Sequence, residues 1–293
     1  MNLGFVLVNA VTLACIYGTL AIGISITWSS LGLINMAYGF TFACAGYGAW
    51  LVGQYVIADG MAVMAAGILT GALCGLFVCA IAFIPVHDKP NFVVRGLIAT
   101  LAINLLGAQA LLWWFGPRSK SLPEVFGFWQ VRLGDVVVTS NAAGAVVSSI
   151  VLLAVTLRWL RSSRRGLEIR AMMMNPHAAS IVGIGIRRTA FSVMALTGGL
   201  AGLAAVLLSQ TYYVSPFSGI VPLIKGLSVA LLGGLGSVSG AIVAAVVLGV
   251  NEALTASLLG GQYVLMTQFA LIILIIILRP RGIAGILDKA REA

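Results

Sequence analysis

The chain has 293 residues, of which 60% are hydrophobic and 9% charged, with a formal net charge of +9. A soluble domain carries about 25% charged residues, so this chain has too little charge to cover a surface facing water, and its composition is that of a membrane protein. The excess charge lies between apolar runs, with seven arginines against the single acid Glu168 from Arg158 to Arg188; this is the pattern of loops beside membrane spans, not of a nucleic-acid surface.

A span needs roughly 20 apolar residues. In chain order the candidates are 5–28, 31–55 (interrupted by Gly39, Gly46 and Gly48), 61–86, 96–115, 142–160, 189–210, a long glycine-rich stretch over 224–259, and 263–278. The expected fold is all-α and integral to the membrane. It has about eight transmembrane segments and a region near 226–258 that is broken by glycine or re-entrant. The N-terminus lacks a basic signal-peptide region. The first ionisable side chain is Asp59, so the first apolar run is expected to stay in the membrane. Cys15, Cys44, Cys74 and Cys79 all lie inside apolar runs without metal-site spacing and read as packing residues.

The arginines orient the chain. With 161–188 in the cytoplasm, and with Arg279, Arg281, Lys289 and Arg291 on the same side, the chain crosses an even number of times between Arg188 and Arg279. The stretch 224–259 then returns to the side it left, and GGLGSVSG at 233–240 gives it a place to turn. Two forms remain open, a re-entrant pair and two short crossings, and a third reading makes the glycines a packing kink. Broken helices persist in membranes only where protein or water meets the freed backbone groups, which makes such a break a pointer to a substrate path. By the same count 87–95 is cytoplasmic, 116–141 is an extracytoplasmic loop, and the N-terminus lies outside if both early spans cross fully. Gly67, Gly71 and Gly75, and Gly198 with Gly202, are small residues at spacing four, the pattern of close helix contact.

Enzymatic machinery is missing from the sequence. No lysine follows a glycine, so there is no GxxxxGK[ST] phosphate loop. His87 and His177 have no metal-ligand partner at helical spacing, and no nucleophile–base set lies in the spans. Lys225 and Glu252 are the ionisable groups of the broken region. A charge at membrane depth costs several kcal/mol and normally faces a partner or a cavity; Glu252 lines the path or seals an interface. Asn9, Asn35, Tyr38, Asn104, Gln109 and Gln268 are polar groups within spans. Asn35, Tyr38 and Gly39 adjoin the glycine break of the second span and either border the path or bridge helices.

The basic segment RRGLEIRAMMMNPHAASIVGIGIRRTAF (164–191) reads as two short helices, 167–174 and a second beginning at Pro176. Asn175 is placed to cap the second, Pro176 suits its first position, and Gly183 and Gly185 end it. Leu167, Ala171, Met174, Ala178, Ile181 and Val182 give the pair an apolar face. That face is a docking surface, or the segment lies on headgroups with its arginines on anionic lipid.

Four strings then resemble the permeases of branched-chain amino acid ABC importers, the LivH type. They are GISITWSSLGLINMAYGFTFACAGY, GLEIRAMMMNPHAASIVGIGIRRTAFSVMALTGGLAGLAAVL, PLIKGLSVALLGGLGSVSGAIVAAVVLG and RPRGIAG, in the family's order and over most of the chain. The resemblance implies one transmembrane permease domain over 1–293 in a bacterial inner membrane. It implies a second homologous permease or a second copy, two cytoplasmic ATPase subunits that bind the ATP, and an extracytoplasmic binding protein; the chain itself carries no cofactor. Glu168, Arg170, Ala171, Asn175, Pro176, Ala178, Ala179 and Gly183 would transmit the ATPase motion. Asn35, Tyr38, Gly39, Gly233, Gly234, Gly236 and Glu252 would border the path. The cargo implied is a branched-chain or other hydrophobic amino acid, with urea or short amides as the alternative. Tyr38 stands where the family more often has histidine, which leaves room for another cargo. A self-contained secondary transporter is the remaining rival, and it would need coupling carboxylates or histidines in the spans.

Overall fold

The computed structural model describes residues 3–57, 59–133, 136–279, 282 and 283. Of the expected basic tail, Arg281, Lys289 and Arg291 lie outside the described residues, as do Pro280, Ala284 and Gly285 of the RPRGIAG string. Among the described residues eleven α-helices follow one another: α1 (Leu3–Leu31), α2 (Tyr38–Tyr55), α3 (Gly60–His87), α4 (Phe92–Phe115), α5 (Ser140–Ser162), α6 (Arg164–Met174), α7 (Pro176–Ile181), α8 (Ile186–Ser209), α9 (Ile220–Gly233), α10 (Val238–Leu258) and α11 (Val264–Leu278), with a 3₁₀ turn before the last. Among the described residues, seven stretches are long and apolar enough to cross a membrane: α1, α3, α4, α5, α8, α10, and α11 with its 3₁₀ turn. The shorter α2 and α9 are the other two apolar segments. The protein is all-α and multi-pass, as its composition requires.

Helix ends fall on two faces. One carries Lys89, Arg95, Arg164, Arg165, Arg187 and Arg188, and here Asp88 Oδ2 meets Arg187 across 2.8 Å. The Gly234–Ser237 turn lies on this arginine face beside Ser29 of α1, and the Ile283 amide donates to Leu232 O at 2.8 Å. The other face gathers the start of α1, the loop 116–139 and the end of α8. Gly4 touches Val136, Gly60 touches the Val125 carbonyl, and Gln210 bonds both Val125 N and Pro123 O. The expected loop at 116–141 contains an antiparallel hairpin, β1 (Gln130–Leu133) and β2 (Val136–Thr139). This is an addition to the sequence reading, which takes the segment as irregular.

The stretch 224–259 resolves into α9 and α10, turning at Gly234–Ser237. Gly234 and Gly236 have φ of 90° and 95°, a region that penalises residues with a Cβ, and Ser237 Oγ caps α10 by accepting from the Gly240 amide at 3.1 Å. At 1.5 Å per residue α10 is about 31 Å long, enough to cross, whereas α9 reaches only about 21 Å. The residues before α9, 210–219, are not helical.

α8 is the central helix: every residue from Thr197 to Ser209 is buried, as expected of a helix that is apolar all round. Its glycines meet those of α3 in an antiparallel seam. A Cβ at Gly71 would strike the Gly198 carbonyl, one at Gly202 the Gly67 carbonyl, and one at Gly75 the Met194 carbonyl. The small-residue rows of the sequence therefore pack on each other. Near its arginine-face end α3 passes through a π-helical turn, Cys79–Phe83. Pro85 offers no amide to Ile81, and a lost rung of this kind is a standard cause of such a turn. Lipid-facing residues lie on the periphery, with exposed Trp113 and Trp114 at the end of α4, where aromatic side chains suit the interface.

Gly71→Val is expected to destabilise the purified protein by about 1–3 kcal/mol or prevent its assembly, because the added methyls meet backbone that cannot move aside. Thermal unfolding in detergent reads this directly, and Leu69→Ala on the exposed side of the same helix should leave the midpoint unchanged.

Candidate functional site

Two helix breaks converge inside the bundle. The first is 32–37, between α1 and α2. The apolar run expected to form one span from Leu31 is non-helical here, and α2 begins only at Tyr38. Three amides at this break are met by side chains. The Met36 amide donates to Thr100 Oγ1 at 3.1 Å, the Ala37 amide to Asn35 Oδ1 at 2.9 Å, and the Phe40 amide to Asn104 Oδ1 at 2.7 Å. Asn104 thus satisfies one of the first-turn donors that every helix start leaves orphaned. Ala37 is fully buried against Val78 and Ala82, at the π-helical turn of α3.

The second break is 210–219, between α8 and α9. Val214 exchanges hydrogen bonds with Lys120 at 2.8 Å in each direction, the Ser218 amide donates to Ser215 O, and the chain then descends to Gly219. Gly219 lies directly on Gly39: a Cβ on Gly219 would strike the Gly39 carbonyl. The two breaks are therefore in backbone contact. A cavity of about 330 Å³ opens beside them, lined by Phe40, Asn104, Gln109, Phe217 and Gly219.

The expected path residues do not form one cluster. Asn35, Tyr38 and Gly39 belong to the first break. Tyr38 is buried, with its hydroxyl 3.2 Å from Thr27 Oγ1, which in turn bonds Thr197 of α8. Asn35 Nδ2 points to Met194 Sδ at 3.7 Å. Gly233, Gly234 and Gly236 lie apart, at the arginine-face turn. Glu252 lies on α10 in a third place, where its Oε1 accepts from Lys225 Nζ at 2.5 Å and from the Tyr17 hydroxyl at 3.2 Å. Lys225 Nζ also donates to Tyr17 at 2.9 Å, and the side chains of the ion pair are each 10% exposed. A cavity of about 310 Å³ adjoins this trio, lined by Tyr17, Lys225, Tyr212, Ser215, Phe42 and Val221 among others.

On the arginine face α6 and α7 form the expected pair. Asn175 Oδ1 caps α7 by accepting from the Ala178 amide at 3.1 Å, Pro176 begins the helix, and Gly183, φ 89°, follows it. Glu168 pairs with Arg165 at 3.2 Å, and Arg170 donates to Arg161 O at 3.0 Å. Leu167, Met174, Ala178, Ile181 and Val182 are exposed, whereas Ala179 is buried and Ala171 half-buried. Of the eight residues expected to transmit motion, Ala179 therefore faces the bundle.

The sequence reading did not bring out Tyr17, Thr100 or the whole of 210–219 as parts of these sites. A signal existed in the last: SPFSG is a turn string within an otherwise apolar region. Thr100 and Tyr17 carry no local signal.

Many apolar crossings, two non-helical breaks that meet at the buried Gly39 and Gly219, and a helical pair exposed on a basic face define a polytopic transport protein. The chain belongs to the family described as branched-chain amino acid transport system / permease component, whose profile matches residues 6–278; its members are transport permeases. It is 29% identical over 291 residues to the high-affinity branched-chain amino acid transport system permease protein LivH of Escherichia coli K12, covering 94% of each chain. It is 28% identical over 293 residues to BraD of Pseudomonas aeruginosa, a permease protein of a system of the same name, covering 95% of this chain and 94% of BraD. A more distant likeness, 27% over 192 residues, covers 57% of this chain and 51% of the guanosine ABC transporter permease protein NupP of Bacillus subtilis. Among solved structures, PsaBC from Streptococcus pneumoniae in complex with Fab shares the fold, with a TM-score of 0.54 at 12% identity, covering 97% of this chain and 95% of that one.

Asn104→Leu is expected to lower stability by about 1–3 kcal/mol, since it leaves the Phe40 amide buried and unpaired. Thermal unfolding of the purified protein checks this against Leu106→Ala, an exposed position on the same helix.

Proposed function

We propose that the chain is a permease subunit of an ATP-driven importer in a bacterial inner membrane, carrying branched-chain and related hydrophobic amino acids into the cytoplasm. The observation that carries this reading is the family match over 6–278, joined to an exposed apolar helix pair on the arginine face. The positive-inside rule puts that face in the cytoplasm. The start of α1 and the 116–139 loop then face outward, where a binding protein delivers cargo.

On this reading two ATPase subunits dock on α6 and α7, and a second permease, homologous or identical, completes the pore. Leu167, Met174, Ala178 and Ile181 would give the ATPases an apolar seat, with Glu168 and Arg170 at its edge. Ala179 would anchor the pair to the bundle and Gly183 would set the turn into α8. Movement of α6 and α7 reaches α8 through only a few residues, and α8 touches both breaks. Asn35, Tyr38 and Gly39 would border the passage at the first break, and the glycine turn at 233–236 would border its cytoplasmic mouth. A conformational change that parts Gly39 from Gly219 opens a route between them.

Purification of the tagged chain from gently solubilised membranes should recover ATPases and a permease partner, and reconstituted complex should take up leucine only with ATP inside. Recovery of the chain alone, or uptake driven by an ion gradient without ATP, would overturn the reading. Ala178→Arg, on an exposed position, is expected to abolish recovery of the ATPases while the chain still inserts and retains its unfolding midpoint.

A further inference from the structure

We propose that Lys225, held by Glu252 and Tyr17, is a recognition site for the carboxylate of a zwitterionic substrate; the inference rests on the reading of the chain as an amino acid permease and names the chemistry of one station on its path. The charges themselves are the first observation. Membrane-embedded ionisable groups are rare because desolvation is expensive, and by default they mark function. A buried ion pair adds little to stability compared with apolar residues of the same volume, so the Lys225–Glu252 pair is not explained by folding alone.

The second observation is how the three groups face the cavity. Lys225 has three ammonium protons. One is directed to Glu252 Oε1 at 2.5 Å and one to the Tyr17 hydroxyl at 2.9 Å. Lys225 and Tyr17 line the cavity, whereas Glu252 lies behind them. The third ammonium proton is available to an acceptor in that cavity. The pair is neutral in sum, so a bare carboxylate would leave one uncompensated charge in a low-dielectric interior. A zwitterion brings its own ammonium and leaves the total at zero, and the hydroxyls of Ser215 and Tyr212 on the same wall can accept from that ammonium.

The third observation is the remainder of the wall. Phe42 and Val221 face the same space, an apolar surround for a hydrocarbon side chain. At about 310 Å³ the cavity is at the lower end of the roughly 300–1,000 Å³ range of small-molecule sites. Tyr212 is more than half exposed and sets the cavity's rim on the face opposite the arginines, the side from which cargo arrives.

The test uses the complete transporter in proteoliposomes, with leucine-loaded binding protein outside and ATP inside. In the double variant K225M/E252Q both charges go together, so a merely structural pair would leave uptake within about twofold of wild type. The proposal expects uptake to fall at least about tenfold in a complex that still assembles; uptake within twofold overturns it. K225R keeps the cation and the ion pair but moves the donor. It is expected to raise the concentration of loaded binding protein needed for half-maximal uptake, and an unchanged value overturns the proposal even if the double variant fails to assemble. Wild-type uptake of guanosine and not leucine would defeat the cargo reading and this inference with it. Wild-type leucine uptake with both variants unaffected would defeat the inference alone.

Discussion

The close approach of α3 to α8 is the contact on which the remaining arrangement depends. Lipid tails are as apolar as leucine, so burial gives helices in a bilayer little reason to associate; fit between backbones has to supply it. At Gly71, Gly75, Gly198 and Gly202 a single methyl would collide with a carbonyl of the facing helix, and at Gly67 with the Val206 side chain. Once α8 is fixed at this distance, its other sides carry the rest. Met194 meets Asn35, Thr197 meets Thr27 beside Tyr38, and Gln210 at its far end ties down Pro123 and Val125. Both helix breaks adjoin this one helix.

The breaks exist because specific side chains replace the backbone ladder. Inside a bilayer an unpaired amide costs several kcal/mol, so a non-helical segment such as 32–37 is stable only with donors and acceptors brought to it. Thr100 and Asn104, one turn apart on α4, supply acceptors to Met36 and Phe40. The second break uses backbone for the same purpose, borrowing Lys120 as a strand partner for Val214. Each break leaves a glycine free of side chain, and those two glycines, Gly39 and Gly219, touch.

This division explains what the amino-acid sequence discloses. Features encoded by neighbours in the chain are legible: the glycine rows at spacing four, the Asn175–Pro176 cap, the glycine turn after α9. Features that depend on a distant partner are not. Within 31–55 the glycines and Asn35 hint at a break near Gly39, but nothing there shows that 32–37 is non-helical, because the acceptors that permit it lie 64 residues away. Lys225 and Glu252 are visible as charges in an apolar stretch, but their pairing depends on α9 and α10 folding back at Gly234–Ser237 and on Tyr17 from α1. Likewise Ala179 and Ala178 are equivalent by composition; only the docking of α7 on the bundle turns one inward and leaves the other exposed.

The strengths of these contacts also separate what can move from what stays. Interhelical side-chain hydrogen bonds in membranes are worth on the order of 0.6 kcal/mol each, up to about 1.7, so the links among Tyr38, Thr27 and Thr197 cost little to exchange. The glycine seam has no comparable alternative, because parting it loses backbone packing along several turns at once. Alternation between two states would therefore run along the side-chain contacts, with α3 and α8 moving as one piece. The second break is suited to this role: 210–219 carries the rim of the Lys225 cavity and leads through Gly219 to the first break. A shift there would change the surroundings of the charge pair and the gap at Gly39 together, and on the proposed function this would couple the entry of cargo to its passage.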